Sequence, residues 1–138
     1  MNKKIIWIID DDAIYQTIIN KLIQKSGVFS THSSFMNGKE AITTLNNILE
    51  IHEEFIPDII LLDINMPIMD GWEFMDEIKR IKSKINKQII IYIVSSSIAI
   101  EDRNKSKTFK DIIGYIPKPI SIEDLIAIVQ SNKNSAEN

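Results

Sequence analysis

The sequence predicts an α/β protein, a doubly wound parallel sheet with helices on both faces. Three observations predict it. Ile5-Ile6-Trp7-Ile8-Ile9, Ile59-Ile60-Leu61-Leu62 and the run from Ile89 to Val94 are apolar at successive positions. That is the pattern of strands buried on both sides. Amphipathic stretches with helical spacing separate these runs, so strands and helices alternate. Each run also stops abruptly at polar residues: Asp10-Asp11-Asp12, Asp63, and Ser95-Ser96-Ser97.

The elements follow in order. After the first strand, Ile14, Ile18 and Leu22 recur at i+4 with Ile19 and Ile23 beside them, predicting a helix from Ala13 to Lys25 stopped by Ser26-Gly27. Val28 to Ser34 is a more polar strand, placed near a sheet edge. Asn37-Gly38 reads as a turn. Ala41, Leu45, Ile48 and Leu49 mark a second helix, and Pro57 ends the polar connection after it. Asp70-Gly71 reads as another turn, before a third helix from Trp72 to Lys82. Glu101 to Thr108 is a short helix, and Gly114-Tyr115-Ile116 a short last strand closed by Pro117-Lys118-Pro119. Ser121 caps a final helix whose first turn carries Glu123 and Asp124. The segment from Asn132 to Asn138 reads as a disordered tail, leaving residues 1–131 as one domain.

Composition bounds the function. The chain has 138 residues, 44% hydrophobic and 25% charged, as expected of one globular domain. Its net charge of −3, without a basic cluster, argues against a nucleic-acid binder. The absence of cysteine excludes disulfides, thiolate metal sites and cysteine nucleophiles, and fits the cytoplasm. No run approaches the ~20 apolar residues of a membrane span.

In a parallel sheet the strand ends share one edge, where such folds place their ligands. Asp10, Asp11, Asp12, Asp63, Ser95 and Lys118 therefore converge. Adjacent carboxylates raise one another's pKa unless a cation offsets them. Carboxylates suit Mg²⁺, which is often shared with a phosphate. A hydroxyl and an ammonium beside it would neutralise a phosphoryl group in transfer, and Asp63 could accept that group as an aspartyl phosphate. His32 and His52 fall outside this set and read as surface residues, while Trp72, Phe74 and Tyr92 read as packing.

Four segments carry a resemblance. Ile8-Ile9-Asp10-Asp11-Asp12, Leu61-Leu62-Asp63-Ile64-Asn65-Met66-Pro67-Ile68-Met69-Asp70-Gly71, Val94-Ser95-Ser96 and Gly114-Tyr115-Ile116-Pro117-Lys118-Pro119 closely resemble a response-regulator receiver domain of two-component signalling. The resemblance spans Lys4 to Gln130. It implies a flavodoxin-like fold with strand order 2-1-3-4-5. It implies Asp63 as phosphoacceptor; Asp10 and Asp11, with Asp63 and the Asn65 backbone carbonyl, as Mg²⁺ ligands; and Ser95 as the hydroxyl that follows the phosphoryl group. It also implies Lys118 as its charge partner, with a cis bond to Pro119, and Tyr115 as an aromatic switch. Asp12 is a third acid not needed for the metal, assigned to the helix start. Ser replaces the more frequent Thr at position 95, and Ser96 the usual Ala or Gly.

The function so implied is a stand-alone switch that is not an enzyme on a separate substrate. A sensor histidine kinase or histidine phosphotransfer protein donates the phosphoryl group. A downstream protein binds the face built from the fourth helix, last strand and last helix. The alternative is a small haloacid-dehalogenase-like phosphohydrolase, in which Asp10 is the nucleophile and Asp12 the acid/base.

Overall fold

Five parallel strands in the order β2-β1-β3-β4-β5 form one sheet, as the computed structural model shows for residues 3–96 and 99–136, with side chains described through residue 132. The strands are β1 (Lys4–Ile9), β2 (Phe29–Phe35), β3 (Ile59–Leu62), β4 (Ile90–Ser95) and β5 (Ile112–Pro117). They alternate with α1 (Ala13–Ser26), α2 (Gly38–Ile51), α3 (Gly71–Ile81), α4 (Ile100–Ser106) and α5 (Ile122–Ala136). This is the doubly wound, flavodoxin-like arrangement. No helix among the described residues is long and apolar enough to cross a membrane.

The apolar strands explain the three layers. Side chains alternate across a strand, so Trp7 and Ile9 of β1 and Ile60 and Leu62 of β3 enter one core, with Ala41, Ile42 and Leu45 of α2 and Phe74, Met75 and Ile78 of α3. Ile6, Ile8, Ile59 and Leu61 enter the other, against Ile19 and Ile23 of α1 and Leu125 and Ile128 of α5. Burying each of the Ile, Leu, Phe and Met side chains stabilises the fold by about 1.5–3 kcal/mol.

Caps set the helix boundaries and correct several of them. The Asp12 carboxylate accepts the N–H groups of Ile14 and Tyr15, opening α1, and Gly27 closes it at φ 68°. Asn37, expected in a turn, caps α2 by accepting from the Glu40 N–H. Asp70 likewise caps α3, in a reciprocal capping box with Glu73. Ser121 caps α5 by accepting from the Asp124 N–H.

Three further expectations change. On α1 the buried stripe is Gln16, Ile19 and Ile23, while Ile14 and Ile18 face out. α5 continues through Ala136, so residues 132–136 are helical rather than a disordered tail, and Asn132 is buried, donating to the Ile128 carbonyl. His32 is half-buried within β2 rather than on the surface. Ser97 and Asn138 lie outside the described residues.

Candidate functional site

Backbone hydrogen bonds carry the site residues on from the sheet. The Asp10 N–H donates to the Phe35 carbonyl, the Asp63 N–H to Ile9, and the Lys118 N–H to Ser95, each at 2.9 Å. These bonds continue the strand pairings Ile9↔Phe35, Ile9↔Leu62 and Ser95↔Pro117 just past the strand ends. Residues more than a hundred positions apart in sequence therefore meet at one edge.

Carboxylate oxygens of Asp10, Asp11 and Asp63 lie within 4.8 Å of one another. Asp10 is 1% exposed and Asp63 9%, whereas Asp11 faces solvent. Asp10 Oδ1 accepts the Asp12 N–H at 2.9 Å, and Asp63 Oδ1 accepts the Ile64 N–H at 2.9 Å. The Lys118 ammonium lies 2.7 Å from Asp10 Oδ2, close enough for an ion pair. That oxygen is buried and has no hydrogen-bond partner among the described residues. Lys118 thus supplies one cation to a cluster of three carboxylates, which leaves two negative charges for a hard divalent ion to offset.

The electrostatics agree. Burial first, then the neighbouring Asp10 charge, pushes the Asp63 carboxyl up to about 6, against the lowering effect of Lys118 and the Ile64 N–H. A carboxylate so raised gains from any cation placed beside it.

Ser95 is buried at the end of β4. Asn65 is exposed two residues after Asp63. Tyr115 sits half-buried on β5, with the Arg103 guanidinium 4.7 Å from its ring centre. The Lys118–Pro119 bond is cis. The acid triplet divides: Asp10 and Asp11 join Asp63, while Asp12 serves the helix cap.

Two site residues were not picked out from the sequence. Gln16 donates its side-chain N–H to the carbonyls of Asp10 (3.0 Å) and Phe35 (3.1 Å), pinning α1 to the strand ends. A polar residue in the buried stripe with Ile19 and Ile23 was its signal. Tyr15 lies with its ring centre 4.4 Å from the Lys118 ammonium. Its only sequence signal was an aromatic ring in the first turn after the Asp12 cap.

A family model described as the response regulator receiver domain matches residues 6–130. The DNA-binding transcriptional regulator NtrC of Escherichia coli is 29% identical over 130 residues, 94% of this chain and 25% of NtrC. The chain thus spans about a quarter of the length of the NtrC relatives it matches. The chemotaxis protein CheY of Halobacterium salinarum is 29% identical, covering 91% of this chain and 96% of CheY. A two-component response regulator from Cytophaga hutchinsonii superposes with a TM-score of 0.85 at 27% identity, over 97% of this chain and 99% of that one. The receiver domain of the Arabidopsis thaliana histidine kinase CKI1, complexed with Mg²⁺, superposes at 0.80 with 22% identity, over 95% and 92% of the two chains. Nothing in these matches supports the phosphohydrolase alternative. The chain belongs to the response regulator receiver domain family, the phosphorylated switches of two-component signalling.

Proposed function

We propose that Asp63 is the phosphoacceptor of this receiver and that Asp10, Asp11, Asp63 and the Asn65 carbonyl hold Mg²⁺. One observation carries the reading: three carboxylates gather within 4.8 Å at the sheet edge, with one lysine to oppose them. Magnesium, when bound, neutralises the carboxylates and the phosphoryl oxygens. An Asp63 oxygen attacks phosphorus, the P–N bond of a donor phosphohistidine breaks, and the imidazole leaves with the bonding pair. The Lys118 ammonium offsets the charge on the transferred group. The Ser95 hydroxyl donates to a phosphoryl oxygen, and Tyr115 turns into the space beside it. The change then reaches α4, β5 and α5.

The donor in this reading is a sensor histidine kinase or phosphotransfer protein in the cytoplasm. The readout is a protein that docks on α4, β5 and α5, where Ile100 and Ile113 are 73% and 48% exposed. Incubation with phosphoramidate and Mg²⁺, followed by mass spectrometry, tests the site. A single phosphoryl group on Asp63 is expected, absent from Asp63→Asn and without Mg²⁺. Labelling of Asp63→Asn at Asp10 would overturn the reading.

A further inference from the structure

We propose that Tyr15 is a positioning residue for Lys118: the face of its ring holds the ammonium at the mouth of the carboxylate cluster. The inference rests on the assignment of Lys118 above and adds a residue to it. Lys118 has a long stem, and its backbone N–H donates to the Ser95 carbonyl. Its ammonium must nevertheless lie close to Asp63 without passing into solvent. Two groups bracket it. Asp10 Oδ2 stands at 2.7 Å and the Tyr15 ring centre at 4.4 Å. A cation over an aromatic face at this distance is attracted by the ring quadrupole, more strongly where water is excluded. Lys118 is that kind of cation, its side chain only 18% exposed.

The platform is itself rigid. The Tyr15 N–H donates to the Asp12 cap at 3.1 Å, and the adjacent Gln16 ties the same turn to the Asp10 and Phe35 carbonyls. The hydroxyl does not perform this task. It is buried without a hydrogen-bond partner among the described residues. Burial, and then the charges of Asp10 and Asp63, keep it protonated far above the usual range. The ring is therefore the active part, and phenylalanine should replace it.

Ordinary packing is the competing account, because Tyr15 also borders the core between α1 and the sheet. A double-mutant cycle separates the two. Phosphorylation of Asp63 by phosphoramidate is timed in Tyr15→Phe, Tyr15→Leu, Lys118→Ala and Tyr15→Leu/Lys118→Ala, with folding checked by circular dichroism. Tyr15→Phe should stay within about twofold of the unmodified protein, and Tyr15→Leu should be slower by about tenfold. In the Lys118→Ala background Tyr15→Leu should add nothing. Without Mg²⁺, acylation of Lys118 read by mass spectrometry should speed up in Tyr15→Leu and not in Tyr15→Phe. A Tyr15→Leu protein as fast as the unmodified one overturns the proposal. So does a Phe variant as slow as the Leu variant, or a Leu effect that persists undiminished without Lys118. If Lys118→Ala alone leaves the rate unchanged, the assignment of Lys118 falls, and the platform with it.

Discussion

Replacing Asp63 with Asn should stabilise the protein, and by an amount that grows with pH. The substitution keeps the shape and keeps an oxygen to accept the Ile64 N–H, but removes one of three clustered charges. Burial and Asp10 raise the Asp63 carboxyl from 3.8 to about 6. An acid whose pKa is raised on folding binds more protons folded than unfolded, so stability falls as pH rises. The loss begins near the unfolded pKa and is complete above about 6. At about 1.4 kcal/mol per pH unit, holding Asp63 ionised costs the fold at most about 3 kcal/mol at neutral pH. Urea unfolding in EDTA measures it. The advantage of Asp63→Asn should increase by about 2 kcal/mol between about pH 4.5 and about pH 7.5. An advantage that is flat or shrinks over that range would refute the claim that the cluster is held against its own charge.

Three other substitutions test the loops that aim the site. Gly71→Ala should destabilise by about 2–3 kcal/mol in urea, because the new Cβ would lie 2.5 Å from the Asp63 carbonyl oxygen and 2.9 Å from Ile64 Cα, neither of which can yield. Ile68 is a β-branched residue at φ 68° and is 79% exposed. Ile68→Gly should raise stability by about 0.5–1 kcal/mol, the relief of backbone strain exceeding the flexibility gained by the unfolded chain. Asp12→Ala should cost about 1 kcal/mol through loss of the α1 cap, while leaving Mg²⁺ affinity by calorimetry within about twofold.

The buried strands were legible because a residue run apolar at every position admits few other readings. Trp7 and Ile9 go to one core and Ile6 and Ile8 to the other, as alternation requires. The convergence of Asp10, Asp63 and Lys118 was legible for the same reason, since parallel strands put their ends together. The errors fall where two physical readings share one sequence. Asn37-Gly38 and Asp70-Gly71 look like turns, yet Asn and Asp also cap helices, and the chain beyond each is long enough to be capped. The i+4 set Ile14, Ile18 and Leu22 looks like the buried stripe of α1. The stripe lies instead on Gln16, Ile19 and Ile23, because Gln16 meets the strand-end carbonyls. Asn132 looked like tail composition, but one side-chain bond to Ile128 and burial beside Tyr92 hold it in α5. Tyr15 is not legible in the sequence because its partner, Lys118, is a tertiary neighbour that no local spacing announces.

The charge balance at the sheet edge ties stability to function. Asp10, Asp11 and Asp63 bring three negative charges and Lys118 one positive, a difference of two negative charges. A chain selected for stability alone would neutralise Asp63, as Asn would. That cost, at most about 3 kcal/mol, is a large share of the 5–15 kcal/mol typical of a domain. It is offset by strands buried on both faces, because Ile9 and Leu62 in one core and Ile8 and Leu61 in the other anchor the backbone from which Asp10 and Asp63 project. That backbone cannot relax outward without opening both cores, so the repulsion is stored in the side chains instead. Any group that removes it then binds with the strain released. Replacing the anchors, as in Leu62→Ala, should therefore weaken cation binding as well as stability. Replacing an outward residue such as Ile14 should change neither by much.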